Sequence, residues 1–192
     1  MRELSLHILD VVENGITAGA GRIEIRVEES LTADRLRIVV RDNGPGMPPE
    51  KASRPEDPFI TSRTTRRVGL GLSLLAAAAR RCEGGLTVTA EPGRGTEVSA
   101  VFRHSHIDRA PLGDVAATLA MLIIGNPHID FVYSHTVDGG EFSLDTRELA
   151  EGGADLSDPG TVRQIEEWVR ETLATMSRKH GREESTHAQA DH

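Results

Sequence analysis

From Leu4 to Ile16 apolar side chains occupy most faces of the first periodic segment, with Leu4, Ile8, Val11, Val12 and Ile16 setting the pattern. His7, Asp10, Asn14 and Thr17 interrupt it at i, i+3, i+7 and i+10, which puts them on one stripe of a helix, with Glu13 beside it. Good helix formers without an internal proline predict a helix from Arg2 to Ala18, buried except along this polar seam. The period then changes to two. Ile23, Ile25 and Val27 alternate with Glu24, Arg26 and Glu28, and Leu36, Ile38 and Val40 alternate with Arg35, Arg37 and Arg41. Two half-buried antiparallel strands are expected. The second runs into Asp42-Asn43-Gly44-Pro45-Gly46-Met47, whose glycines and proline force a turn.

A second helix is predicted from Leu70 to Glu83, stopped by Gly84 and Gly85. Leu86, Val88 and Ala90, then Val98, Ala100 and Phe102, give two further alternating strands around the turn at Pro92-Gly93-Arg94-Gly95. Helices separated by hairpins predict an α+β fold, a two-layer α/β sandwich with helices on one face of a mixed, largely antiparallel sheet. Beyond Phe102 the pattern predicts a helix over 111–124, a hairpin of 131–135 and 141–145 around Asp138-Gly139-Gly140, and an amphipathic helix over 159–176. These divide the chain into a domain of residues 1–103, a small acidic α+β extension of residues 104–176 with no role legible in its residues, and a polar tail of residues 177–192 expected to be disordered.

Charge sharpens that division. The net charge of −8 over 192 residues lies in the second part: residues 1–103 carry 15 basic and 14 acidic side chains, residues 104–192 carry 7 and 16. The stretch from Pro58 to Cys82 holds Arg63, Arg66, Arg67, Arg80 and Arg81 and no acid, a local attraction for an anion. Aromatics are only 3% and the total charge is negative, which argues against nucleic acid. A single cysteine, Cys82, excludes an intramolecular disulfide and fits a reducing compartment. The N-terminal residues lack a signal peptide's apolar run, and the most apolar stretch, 115–125, is about half the ~20 residues of a bilayer span, so a cytoplasmic location without membrane attachment is expected.

Four elements offer chemistry suited to a nucleoside triphosphate. Asp10 and Asn14, one helical turn apart, supply hard oxygen donors for Mg²⁺ and its waters. Asp42, ending a strand, can accept a hydrogen bond from an exocyclic amine while Gly44 and Gly46 let a flat ring approach the backbone. Gly69, Leu70 and Gly71 open a helix just after the arginines and present free N–H groups to phosphate. Gly93 to Thr96 makes a tight turn into a strand. His104 and His106 suggest a ligand pair, but no Cys or Asp at ligand spacing accompanies them, and no dedicated metal site is expected.

The set ENGITAGA, DNGPGM, DPFITS, VGLGLSL and PGRGTEV, in this order, resembles the five boxes of the histidine kinase-like (GHKL, Bergerat-fold) ATP-binding domain over residues 1–103. The resemblance implies ATP and Mg²⁺ as cofactors, with Asn14 as the magnesium ligand, Asp42 reading the adenine amine, and Gly44 and Gly46 in the adenine pocket. It further implies phosphate binding by Gly69, Leu70 and Gly71, a last box at Gly95 and Thr96, and a lid beginning at Phe59. Only nine residues separate Phe59 from Gly69, so Arg63, Arg66 and Arg67 are expected to do by side chain part of what longer lids do by wrapping.

ATP-hydrolysing relatives carry a glutamate as general base four residues before the asparagine; here Asp10 stands there, one methylene shorter, with Glu13 the neighbouring substitute. The resemblance implies an ATPase or a kinase transferring the γ-phosphoryl group to a separate protein, or else a nucleotide-gated subunit with little turnover. A protein partner or phosphoryl acceptor is expected. No histidine-bearing dimerisation segment is expected before Met1, and oligomeric state is not legible. The continuation SHIDRAPLGD resembles that of stand-alone ATP-binding proteins associated with iron hydrogenase subunits.

Overall fold

The computed structural model describes residues 3–46 and 70–187. Helix α1 (Leu4–Thr17) is followed by strands β1 (Arg22–Ser30) and β2 (Arg35–Asp42), helix α2 (Leu70–Arg81) and strands β3 (Gly85–Glu91) and β4 (Gly95–Arg103). Helix α3 (Val115–Gly125), strands β5 (Asp130–Val137) and β6 (Gly140–Asp145), and helices α4 (Thr146–Glu151) and α5 (Pro159–His187) complete the order. The strands form one six-stranded sheet, β3-β4-β2-β1-β5-β6. All neighbours are antiparallel except β1 and β5, which pair in parallel from Arg22↔Asp130 to Glu29↔Val137.

Register explains the single core. It places Ile23, Ile25 and Val27 beside Val40 and Ile38 of β2 and beside Phe131, Tyr133 and His135 of β5, all on one face. That face carries the buried side chains, headed by Tyr133, Phe102 and Phe131, and helices α1, α2 and α5 pack on it. The opposite face holds the alternating charges, paired as Arg26–Glu24 at 3.4 Å and Arg37–Glu28 at 3.5 Å. This is the expected two-layer arrangement, with period-two strands burying chiefly one side and Val39 of β2 the buried apolar exception on the other.

Three features depart from the sequence reading. The hairpin of residues 130–145, expected within a separate extension, extends the same sheet, because its apolar face is continuous with that of β1. The segment after β4 also ties back, with Leu4 N–H bonding the Pro111 carbonyl at 3.0 Å and Ser5 N–H the Leu112 carbonyl at 2.8 Å. Second, α5 runs to His187 where a disordered tail was expected. Its apolar stripe Val162, Ile165, Val169, Leu173 and Met176 ends at Met176, but the Arg-, Lys- and Glu-rich residues after it contain no proline, so the helix propagates beyond its tertiary anchor. Third, α4 forms where no helix was predicted. Asp145 accepts the Arg147 N–H at 2.9 Å as its cap, and Thr146, buried, accepts the Phe131 N–H at 2.8 Å.

At the end of the sheet where β1 finishes, Glu29 lies between two imidazoles. His135 Nε2 and His104 Nε2 each approach one of its carboxylate oxygens at 2.8 Å. Burial alone would push the Glu29 carboxyl up, but the bonds from His135 and His104 outweigh it and hold the pKa at about 2. A carboxylate depressed in the folded state contributes stability that is full above its ordinary value of 4.5 and is lost as pH falls toward 2. Glu29→Gln is expected to lose on the order of 3 kcal/mol at neutral pH. Urea denaturation of both proteins at neutral pH and at pH 3 checks this, and the gap between them should narrow in acid.

Candidate nucleotide site

Asp42 stands at the end of β2 on the helix-facing side, opposite Thr96 of β4. Its Oδ1 accepts the Gly44 N–H at 2.9 Å, and the Thr96 N–H also donates to the carboxylate. Burial raises its pKa, against the pull of these two donors. Glycines let the neighbouring backbone pack closely against it. A Cβ on Gly15 would lie 3.1 Å from Asp42 Cβ, and one on Gly44 2.9 Å from Asp42 Oδ1. Gly46 and Gly95 both take positive φ, +67° and +90°, and a Cβ on either would overlap a backbone carbonyl, that of Glu91 or of Asp42 respectively. The turn is pinned by Asn43, whose Oδ1 accepts the Gly21 and Arg22 N–H groups at 2.9 Å. The result is a half-buried carboxylate bordered by glycines whose backbone packs too closely for a side chain.

Helix α1 packs against α2 beside this turn. Gly71, in the first turn of α2, lets the helices approach until its Cβ position is 3.1 Å from Asp10 Cβ and 3.4 Å from Asp10 Oδ2. Asp10 is thereby half-buried at the start of α2, Asn14 is exposed one turn further on, and Glu13 is exposed to solvent. Leu70 is the first residue of α2. Asp10, Asn14, Asp42, Gly44, Gly46, Gly71 and Thr96 thus converge on one end of the sandwich, while Arg63, Arg66, Arg67 and Gly69, with Phe59, lie outside the described residues.

The polar stripe of α1 is not uniformly open. His7, expected along the seam, is 3% exposed and its Nδ1 has no hydrogen-bond partner. It lines a small cavity of about 10 Å³ with Leu4, Ile8 and Val11 of α1 and with residues of β2, β4 and α2, and burial lowers its pKa. Sequence reasoning missed Gly15. Its signal was present, an isolated glycine inside a predicted helix, which commonly marks a close approach. Among the described residues no group of three or more His, Cys, Asp or Glu is placed to hold a metal ion, and no helix is long and apolar enough to cross a membrane.

A half-buried carboxylate among close-packed glycines and the start of α2, at one end of a two-layer sandwich, make up the candidate nucleotide site. The chain belongs to the family of histidine kinase-, DNA gyrase B- and HSP90-like ATPases, whose profile matches residues 2–106. These residues form its ATP-binding domain.

The chain is 44% identical over 108 residues to the sensor protein kinase FleS of Pseudomonas aeruginosa, covering 56% of this chain and 26% of that one. It is 28% identical over 100 residues to sporulation kinase C of Bacillus subtilis, covering 52% and 23%. It therefore spans about a quarter of the length of these relatives. Among solved structures, the N-terminal domain of a DNA repair protein superposes with a TM-score of 0.53 at 20% identity, covering 76% of this chain and 53% of that one. The likeness of fold therefore takes in a larger share of the chain than the family profile does.

Proposed function

We propose that this protein binds Mg-ATP beside Asp42 and either hydrolyses it or transfers its γ-phosphoryl group to a separate protein. The observation that carries this reading is the packing of α1 against α2. It sets the Asp10 carboxylate against Gly71 at the start of α2, where phosphate would meet free N–H groups, with Asn14 one turn away and Asp42 at the base end. Asp42 would accept the adenine amine, and Thr96, Gly44 and Gly46 would border the ring. Asn14 offers an amide oxygen to Mg²⁺. One side-chain donor suits this ion, which keeps several waters and takes further ligands from the phosphates. When bound, the metal supplies charge neutralisation at the phosphates. The amides of Gly69, Leu70 and Gly71 and the side chains of Arg63, Arg66 and Arg67 are assigned to the phosphates by the family's motif order.

Asp10 is better placed than Glu13 to hold a water or acceptor proton, being turned toward α2 while Glu13 faces solvent. As general base its loss should cost at least about a hundredfold in turnover. The experiment follows γ-labelled ATP with Mg²⁺, measuring free phosphate, protein-bound label and bound nucleotide for the wild type beside Asp10→Asn. Phosphate release or labelling that falls by that factor in the mutant, with ATP still bound, supports the reading. Bound ATP with no turnover in the wild type, alone or with candidate acceptor proteins, would replace it with a nucleotide-gated binding subunit.

A further inference from the structure

The sheet ends at β6, and among the described residues no strand pairs beyond it. Asp138 and Gly139 both take positive φ, +40° and +94°, and form a two-residue turn that closes the hairpin on Val137 and Gly140. From that closing pair the inward bonds of β6 fall on Gly140, Phe142 and Leu144, so the N–H and C=O groups of Glu141 and Ser143 point out of the sheet. Both residues are exposed, and among the described residues neither makes a further backbone bond. β6 has no proline, lysine or bulge, the devices that commonly blunt an edge. It is also the edge remote from β3, against which Gly46 and helix α2 pack. On the helix-covered face Trp168 of α5 stands beside this edge, 45% exposed, with its ring edge-on to buried Phe142 at 5.1 Å. Arg170, about 200° further round the helix, pairs with Asp114 at the head of α3 at 2.9 Å, so Trp168 lies on the side of α5 away from α3, toward the margin of β6.

We propose that β6 is a docking edge for an extended, basic segment of a partner protein, which adds a seventh strand to the sheet and sets an apolar side chain against Trp168. The outward N–H and C=O groups of Glu141 and Ser143 supply the main-chain bonds of such an added strand. Charge selects the occupant. Residues 104–192 hold 7 basic and 16 acidic side chains. Arg147, Arg163 and Arg170 are already paired within the chain, with Asp130, Glu167 and Asp114 at 2.6, 3.1 and 2.9 Å. Glu141 on the edge strand and Glu171, one turn beyond Trp168, make no ion pair among the described residues. A second copy would bring like charge to this edge, whereas lysine or arginine on a partner strand meets opposite charge. The period of two sorts the partner's side chains: those on the helix-covered face meet Trp168, and those on the open face lie beside Glu141. Alternating apolar and basic residues therefore fit the edge. It lies outside residues 2–106, which match the ATPase family, so it adds a binding surface to the ATP-binding domain.

Trp168 is the sole tryptophan, so its fluorescence reads this edge alone. The probe is a synthetic decapeptide of alternating lysine and valine, titrated into the full chain. The expected result is a saturable change in emission, with the Glu141 and Ser143 amides gaining protection from hydrogen exchange. A glutamate and valine peptide of the same pattern should bind at least about tenfold more weakly. Strand pairing uses one edge of the peptide, so of two versions, N-methylated at every lysine or at every valine, one should keep binding and the other lose it. Ser143→Pro removes an outward N–H without breaking a bond to β5, and should abolish peptide binding while the melting temperature holds. If that variant fails to fold, the two methylated peptides decide. No saturable change, equal behaviour of both methylated forms, or full binding by folded Ser143→Pro overturns the proposal. A protein dimer that the peptide dissociates, seen by light scattering, also overturns it, by placing a second copy on the edge.

Discussion

Asp42→Asn is expected to weaken ATP binding by about ten- to a hundredfold, the equivalent of the ~1.5–3 kcal/mol of a hydrogen bond to a charged group. The folded protein should lose no stability from it. Burial raises the Asp42 carboxyl above its ordinary 3.8, so the ionised form is disfavoured in the folded chain, and that penalty is relieved as pH falls through the raised value. Asparagine is nearly isosteric, carries no charge to desolvate and still offers Oδ1 to the Gly44 N–H. Calorimetric titration with ATP beside thermal denaturation separates the two effects. Affinity should fall and the melting temperature should hold or rise. For the same reason wild-type affinity should weaken in acid at a pH above the usual aspartate range. Unchanged affinity in the mutant would place the base elsewhere, and a lowered melting temperature would make Asp42 a structural carboxylate.

Phe131→Ala should cost about 3–5 kcal/mol, the range for deleting a fully buried aromatic from a packed core. Phe131 lies on β5, yet it sits directly beside Ile23 of β1 and within the same cluster as Leu4, Val12 and Phe102. The loss should therefore appear as one unfolding transition shifted to lower urea, with ATP binding lost in that same transition. Intrinsic fluorescence reports it from the other side of the core, because Trp168 packs edge-to-face against Phe142 at 5.1 Å between ring centres. Two separate transitions, with ATP binding outlasting the fluorescence change, would mean that β5 and β6 form an independent unit.

The expectation of a separate extension and the observed sheet differ for an identifiable reason. Ile23, Ile25 and Val27 announce a strand with one buried face, and so do Phe131, Tyr133 and Val137, but alternation carries no label for the partner. Two antiparallel strands joined by a short turn, such as β1 and β2, are paired by proximity along the chain. The parallel pairing of β1 with β5 joins strands a hundred residues apart in order and is chosen only when both apolar faces meet under the same helices. The tail misled in the opposite direction, since loss of apolar period ends tertiary packing without ending helix propensity, and α5 continues past Met176.

At the nucleotide site the residue types were legible because the chemistry is local. Glycines flank Asp42 in the sequence as they do in space, and Asp10 and Asn14 share a helix face by spacing alone. What the sequence by itself determined is every described element but α4, the inward side of most of them, and the motif that marks the ATP-binding domain. The tertiary structure decided which elements meet. Gly15 packs against Asp42, Gly71 admits Asp10, His7 is sealed in while Asn14 stays open, and Glu29 gathers His104 and His135 from segments distant in the chain. Such contacts depend on the relative placement of whole helices and strands as they bury a common core, and no local period encodes that placement.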